Sequence, residues 1–314
     1  MFPENKDFTI VYQGPVVRRG DINITANVTA ITRRINPGAK IIFSTWTGQD
    51  ITDVIYDEVV YSDDPGTQTP YGYKVNNVNR QIISSINGLS IAQTPYSVKI
   101  RTDCALNQPV DQIYRHYSRY LTEEKRGKLA FLKERVLTMD YSSVNPRKSS
   151  LKLLFHPCDW FFLGRTDDLK GIFDIPLASK EFFHYFIKHS KPSHHQFPDY
   201  AEQFQSENYI WMNAVRKHVE VDFEHGWIYN EHLCKLSEET IAANLVIVPS
   251  YRIGIVSGVH KIYIRDKNRY NFTQWKQLSN WYCNTKYSLF NLGGIPERLI
   301  QRYYKNVEKR RFRC

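Results

Sequence analysis

Long apolar runs are missing from this chain. Nowhere in 314 residues do 18 apolar side chains follow one another, so no segment reads as a membrane-spanning helix. The opening MFPENKDFTIVY has neither the basic cluster nor the apolar stretch of a secretory signal, and the expected compartment is therefore the cytoplasm. Cysteine is scarce and unpatterned. Five residues (Cys104, Cys158, Cys234, Cys283 and Cys314), with no C-x-x-C pair, point to neither a disulfide framework nor a zinc site. Internal repeats and low-complexity tracts are also absent. Acid is in deficit: 42 Lys and Arg face 32 Asp and Glu, a formal charge of +10 that favours anionic partners such as nucleotide phosphates, nucleic acid or an acidic membrane.

What is present is enough apolar content, 42% with 14% aromatic, for a sizeable core. The charge is uneven. In residues 301–314, Arg302, Lys305, Lys309, Arg310, Arg311 and Arg313 face only Glu308, while Leu299, Ile300, Tyr303, Tyr304 and Val307 recur at helical spacing. That describes an amphipathic helix with a basic flank, suited to an anionic membrane surface or to docking on its own domain. Basic residues interleave with aromatics only in this tail, and no nucleic-acid-binding module is recognisable, so nucleic acid is not an expected partner.

The first hundred residues repeat one arrangement, a short β-branched run followed by a polar or glycine-bearing loop. FTIVY (8–12) runs into QGP, KIIFST (40–45) into WTGQD, DEVVY (57–61) into SDDPG, and YSVKI (96–100) into RTDC. Residues 24–35 and 78–92 read as helices between them, the second with Asn77 as N-cap. Alternating β and α elements with near-continuous apolar strands predict a mostly parallel sheet flanked by helices. In such a sheet the ligand crevice lies beyond the carboxyl ends of the strands, so these loops are expected to share one rim. Farther on, 110–138 reads as a helix and a strand, 150–157 and 159–164 as strand segments, 206–218 as a helix, 243–251 as a late strand, and 191–204, with His194 and His195, as a loop over a cleft.

Asp103 falls where the fourth strand delivers a side chain to that rim, beside Arg101. A hard carboxylate there can hold Mg²⁺ or Mn²⁺ against a diphosphate, and an Asp that merely caps the turn explains it equally. Here a resemblance appears. IVYQGPV, PGAKIIFSTWTGQD, YDEVVYSDDPG, NVNRQIISSINGL, YSVKIRTDCAL and HPCDWFFLGRTDDL together resemble the WavE family of lipopolysaccharide-synthesis glycosyltransferases, over roughly residues 8–175 and more loosely to about 220. The resemblance implies a nucleotide-sugar-dependent glycosyltransferase of the GT-A type. The expected organisation is a GT-A-like catalytic domain at 1–230, with a nucleotide-binding half (1–108) and an acceptor-binding half (109–230), followed by a C-terminal strand and helix extension (231–314). The D-x-D triplet common in that type is here Arg101-Thr102-Asp103, with only the last position acidic.

On that reading, Gln13, Gly14 and Pro15 let backbone amides approach the donor, Ser44 and Trp46 meet the base and ribose, and Asp64 binds the nucleoside. Asn79 and Arg80, opening a helix, face its phosphates together with Arg101, Thr102 and Asp103. Asp159, Arg165 and Asp167 are expected at the acceptor, Asp168 and Glu207 in catalysis with Glu207 as general base, and Asp199 and Glu202 in reserve. First-turn Asp and Glu at a helix start also serve as ordinary caps, which accounts for Asp167, Asp168 and Glu207 without a substrate. His260 is the expected second metal ligand beside Asp103, with Mn²⁺ or Mg²⁺ as cofactor. The expected donor is a UDP-sugar and the expected acceptor a glycan, free or lipid-linked, on the inner face of the cytoplasmic membrane. A sugar-nucleotide hydrolase or nucleotidyltransferase shares the phosphate-site logic, and a basic nucleic-acid binder would explain the charge.

Overall fold

A computed structural model describes residues 2–193, 197–262 and 268–289. Residues His194 and His195 and the basic tail at 301–314 lie outside them. Seven strands form one sheet: β1 (Phe8–Gln13), β2 (Lys40–Trp46), β3 (Glu58–Ser62), β4 (Tyr96–Arg101), β5 (Val136–Met139), β6 (Phe161–Arg165) and β7 (Leu245–Val248). Their order is β7-β5-β6-β4-β1-β2-β3, with every neighbouring pair parallel except the two that involve β6, which runs antiparallel to β4 and β5. The mostly parallel α/β sheet expected from the alternation is present, and its sixth strand is the exception.

The elements follow from local chemistry. β1 is buried along its whole length, as a strand covered on both faces must be. Helix α1 (Ile24–Ile35) starts at Asn23, whose side chain accepts from the Ala26 N–H and satisfies one orphan donor. Helix α2 (Val78–Ser90) begins at Asn77, but that side chain makes no cap bond; its Oδ1 instead accepts from Arg80 Nη1 at 3.0 Å. Gly88 lets α2 lie directly on the sheet. A Cβ there would come within 2.4 Å of Val11 Cγ1 and 2.9 Å of Ser44 Cβ.

Among the described residues the longer helices that complete the layers are α3 (Val110–Leu121), α4 (Thr166–Phe173), α5 (Ser206–Arg216), α6 (Glu231–Asn244) and α7 (Phe272–Cys283), with one-turn helices at Lys180–Phe183 and Tyr185–Lys188. The segment at 150–157 is not a strand. Lys152 and Phe155 adopt positive φ (53° and 50°), which breaks any ladder, and the Phe155 N–H is instead taken by Ser237 Oγ. β7, from the expected C-terminal extension, pairs with β5 in the same sheet, so the sheet runs across residue 230 without a break. A separate two-stranded ladder joins Cys104–Leu106 to Ile255–Ser257, antiparallel. Cys104, Cys158, Cys234 and Cys283 are free and buried. Among the described residues no helix is long and apolar enough to cross a membrane.

Candidate functional site

Register alone brings three loop tips together. Gln13, the last residue of β1, pairs with Ser44 of β2 on one side and with Arg101 of β4 on the other. The chain then turns sharply: Gly14 has φ +120°, and a Cβ on it would stand 3.3 Å from Thr102 Oγ1. Thr102 Oγ1 donates to the Pro15 carbonyl (2.6 Å), and Thr25 Oγ1 donates to the Thr102 carbonyl (3.0 Å), so the first and fourth loops are tied to each other and to α1. A cavity of about 340 Å³ opens above them, lined by Gln13, Gly14, Pro15, Trp46, Arg80 and Thr102 among others, with Asp64, Arg101 and Asp103 on its walls.

Two arginine–aspartate forks dominate its electrostatics. Arg80, in the first turn of α2, donates from Nε and Nη2 to the two oxygens of Asp64 at 2.7 and 2.8 Å. That contact holds the Asp64 pKa below the usual carboxylate value, assisted by the Gly66 N–H. Arg101 donates in the same way to Asp103, at 2.9 and 2.8 Å. The Asp103 side chain is only 3% exposed, and the Arg101 guanidinium lies 4.0 Å from the centre of the Trp160 ring.

His260 reaches the same carboxylate, with Nε2 3.6 Å from Asp103 Oδ2, although 157 positions separate the two in sequence. The small antiparallel ladder is the reason: Gly258 N–H donates to the Asp103 carbonyl and Ser257 Oγ accepts from the His260 N–H, so the turn is built on Asp103 itself. Burial, opposed by Asp103, keeps the His260 pKa below that of a free imidazole, which leaves a neutral ring nitrogen available. No group of three or more His, Cys, Asp or Glu side chains converges on a metal position among the described residues.

A second cavity, of about 330 Å³, adjoins the first. Asn76 lines the second and Asn77 the first, and a row of contacting rings and guanidiniums joins them: Arg101 over Trp160, Trp160 tilted against Tyr141 with ring centres 4.6 Å apart, and Arg269 4.5 Å from the Tyr141 ring. Glu207, second residue of α5, lines this cavity. Ser142 Oγ donates to its Oε1 at 2.7 Å and His156 Nε2 stands 3.7 Å from its Oε2. His156 is in turn fixed by the Ser142 carbonyl at Nδ1 and Gln205 Oε1 at Nε2. Glu202 lies deeper, accepting from Asn76 Nδ2 and the Ala201 N–H, its pKa raised by burial.

Asp159 occupies the same rim, just before β6, but is buried, and neither carboxylate oxygen has a hydrogen-bond partner among the described residues. Burial, and then the Glu207 charge, raises its pKa, with Lys99, Arg101 and His156 acting in the opposite direction.

Several sequence-level placements are corrected. Arg165, Asp167 and Asp168 lie at the opposite end of the sheet, because β6 is antiparallel: Arg165 pairs with Tyr96, the first residue of β4, whereas Phe161 pairs with Ile100 near its end. Arg165 meets Glu134, Asp167 meets Lys133 on the surface, and Asp168 accepts from the Lys133 and Glu134 N–H groups at 2.8 and 3.0 Å. Asp168→Ala is therefore expected to lower stability by roughly 1 kcal/mol, the cost of losing hydrogen bonds to two partly buried donors, without altering turnover per folded molecule; denaturant melts beside rate measurements check it. Ser44 is buried under α2 against Gly88 and does not line the cavity. Asn79 clamps a neighbouring segment instead, its side chain donating to the Ala178 carbonyl and accepting from the Ala178 N–H.

Sequence reasoning gave no role to His156, Ser142, Asn76, Tyr141 or Trp160. The only signal was the polar His156 ending an apolar run in LKLLFHP.

A family model described as WavE lipopolysaccharide synthesis matches residues 8–313. No curated protein matches the chain. Solved structures similar to it include 4-diphosphocytidyl-2C-methyl-D-erythritol synthase from Anaerococcus prevotii DSM 20548 (8% identity, 60% of this chain and 87% of that one, TM-score 0.33). Another is CMP:2-keto-3-deoxy-manno-octonic acid synthetase complexed with CTP (9% identity, 55% and 80%, TM-score 0.32). At these scores neither likeness carries an argument about activity.

Proposed function

We propose, from the premise that this chain belongs to the WavE lipopolysaccharide synthesis family, that it transfers a sugar from a nucleoside-diphosphate donor, UDP-linked, to a saccharide acceptor. The observation that carries the reading is the adjacency of two cavities of different chemistry. One collects Gln13, Gly14, Arg80, Arg101 and Asp103 at the strand ends, and the other holds the half-buried carboxylate of Glu207.

The donor diphosphate lies across the first cavity. The N-terminus of α2 favours an anion there, Arg80 and Arg101 supply guanidinium donors, and Gly14 allows close backbone approach. Trp46, 4% exposed, lines this cavity and would meet the nucleoside. Asp103 and His260 would hold a divalent cation, which when bound supplies positive charge to the departing diphosphate. The acceptor occupies the second cavity. As its hydroxyl oxygen bonds to the anomeric carbon, its proton passes to a Glu207 oxygen. The bond from that carbon to the diphosphate breaks, and the electron pair leaves on the nucleoside diphosphate. Ser142 and His156 hold the Glu207 carboxylate in place. The acceptor, in keeping with the family, is a saccharide of lipopolysaccharide assembly, and the basic tail at 301–314 would keep the enzyme near an anionic leaflet.

Thermal stabilisation against a panel of nucleoside diphosphates and sugar nucleotides, with and without Mn²⁺, tests the donor half, because a ligand bound only by the folded state raises the melting temperature. A selective shift by one base is expected, and none across the panel sinks the reading. Donor consumption is then followed with and without saccharide. Full-rate consumption without acceptor makes the enzyme a hydrolase instead.

A further inference from the structure

We infer that Arg101 is a stand-in cation on Asp103, so that a divalent ion and the donor diphosphate can each bind well only when the other is present. The inference rests on the donor-site reading above and concerns the order in which that site fills.

The charges of the first cavity are already balanced. Two arginines and two aspartates line it, and each arginine is forked onto one aspartate through two hydrogen bonds of 2.7–2.9 Å. At Asp103 the fork uses both oxygens of a carboxylate that is 3% exposed. A cation approaching from the His260 side, where Nε2 stands 3.6 Å from Oδ2, finds those oxygens taken. To coordinate, it must displace at least one N–H···O bond and put a second positive centre beside a guanidinium held 4.0 Å over the Trp160 ring. Arg101 then has no carboxylate to face, and like charges at short range in a half-buried site repel strongly.

A diphosphate arriving alone meets the converse difficulty. Asp64 and Asp103 are anions on its cavity wall, and the arginines can turn to phosphate only by abandoning them. When cation and diphosphate arrive together the difficulty at Asp103 is removed for both, while the Arg80–Asp64 fork can stay as it is. The cation takes Asp103 and His260, and Arg101, released, donates to phosphate oxygens through the fork it had presented to the carboxylate. Nη1 of Arg101, which bonds no described residue, already adds a donor. Linkage requires the effect to be reciprocal: whatever factor the nucleotide adds to cation affinity, the cation adds to nucleotide affinity. The device keeps the site closed to free cation and commits it only to the loaded donor.

The test is direct binding rather than turnover. Mn²⁺ is titrated into the full chain with and without UDP, free ion being followed by electron paramagnetic resonance, and UDP is titrated with and without Mn²⁺ by calorimetry. For the wild type each ligand is expected to tighten the other by the same factor, about 10-fold or more, within the usual span of such couplings. In Arg101→Met, Mn²⁺ affinity without nucleotide is expected to rise about 10-fold and the coupling factor to fall towards one. Arg101→Gln, which keeps some hydrogen bonding to Asp103, should lie between, and it serves alone if the Met variant does not fold. Equal Mn²⁺ affinity with and without UDP, or unaltered nucleotide-free Mn²⁺ affinity in the Arg101 variants, overturns the inference and leaves the donor reading standing. If neither UDP nor any other nucleoside diphosphate binds under any condition, the donor reading fails, and this inference with it.

Discussion

Glu207→Gln is expected to leave UDP binding within about twofold of wild type while transfer to saccharide falls by roughly 10²-fold or more, the usual contribution of a positioned general base. Such a loss corresponds to about 2.7 kcal/mol of transition-state stabilisation. The substitution is nearly isosteric, and the amide oxygen can still accept from Ser142 Oγ, so the loop that carries Ser142 keeps its anchor. What disappears is the capacity to take a proton from the acceptor hydroxyl and the charge facing His156 across 3.7 Å. Because Glu207 lines the second cavity and not the first, the donor site should not register the change. Single-turnover rates beside calorimetric UDP titration separate the two quantities. If donor affinity and transfer decline in parallel, Glu207 is a structural first-turn residue and the base must be sought elsewhere in the same cavity, with Glu202 the other carboxylate that lines it.

Asp103→Asn should produce the other large effect. Turnover of a sugar nucleotide is expected to fall by roughly 10²- to 10³-fold, the scale seen when one fixed charge-stabilising group is removed from a reacting centre. The response of melting temperature to Mn²⁺ should vanish as well. The physical ground is specific to this carboxylate. It lies two residues beyond β4, it is nearly inaccessible, and it is the carboxylate that both Arg101 and His260 meet. An amide in its place keeps one acceptor for Arg101 but leaves that guanidinium without a counter-charge, so a fall of a few degrees in melting temperature accompanies the kinetic change. The kinetic loss must exceed whatever the lower stability explains, which rates measured well below the melting transition establish. Near-normal turnover in this variant removes Asp103 from the reaction altogether.

The two expectations differ in how the sequence led to them. Asp103 was readable because a strand of known polarity ended there: alternation of apolar and polar positions in YSVKIRTDC, repeated in three earlier units, is enough to say that the carboxyl ends of parallel strands share an edge. Gln13, Gly14, Trp46 and Asp64 followed by the same logic and Arg80 from its place at a helix start, and all line the first cavity. Glu207 was readable only as a first-turn residue of a helix. That it opens into a cavity beside the first depends on where α5 packs.

The misplacements have one principal cause. Arg165, Asp167 and Asp168 follow a strand just as Asp103 does, and on the parallel pattern they belong to the same rim. β6 enters the sheet reversed, between β4 and β5, and carries its final residues to the far edge. Nothing in the residues DWFFLGRTDD distinguishes a parallel from an antiparallel strand, because burial on both faces demands the same apolar run in either direction. Ser44 failed for a related reason: it ends the right strand but points to the face that α2 covers, where Gly88 admits the helix so closely that the hydroxyl is sealed in.

By itself the sequence determined most of the elements that local chemistry controls: the first four strands, the helices between them, the turn at Gly14 and the set of polar tips that parallel strands collect at one edge. Tertiary structure alone decided the direction of β6, the meeting of Asp103 with His260 across a two-stranded ladder, and the second cavity in which Ser142 and His156 surround Glu207. Those contacts join residues up to 157 positions apart. Nearest-neighbour periodicity carries no information about which distant segment closes on which, because that choice is made by the packing of whole faces against one another.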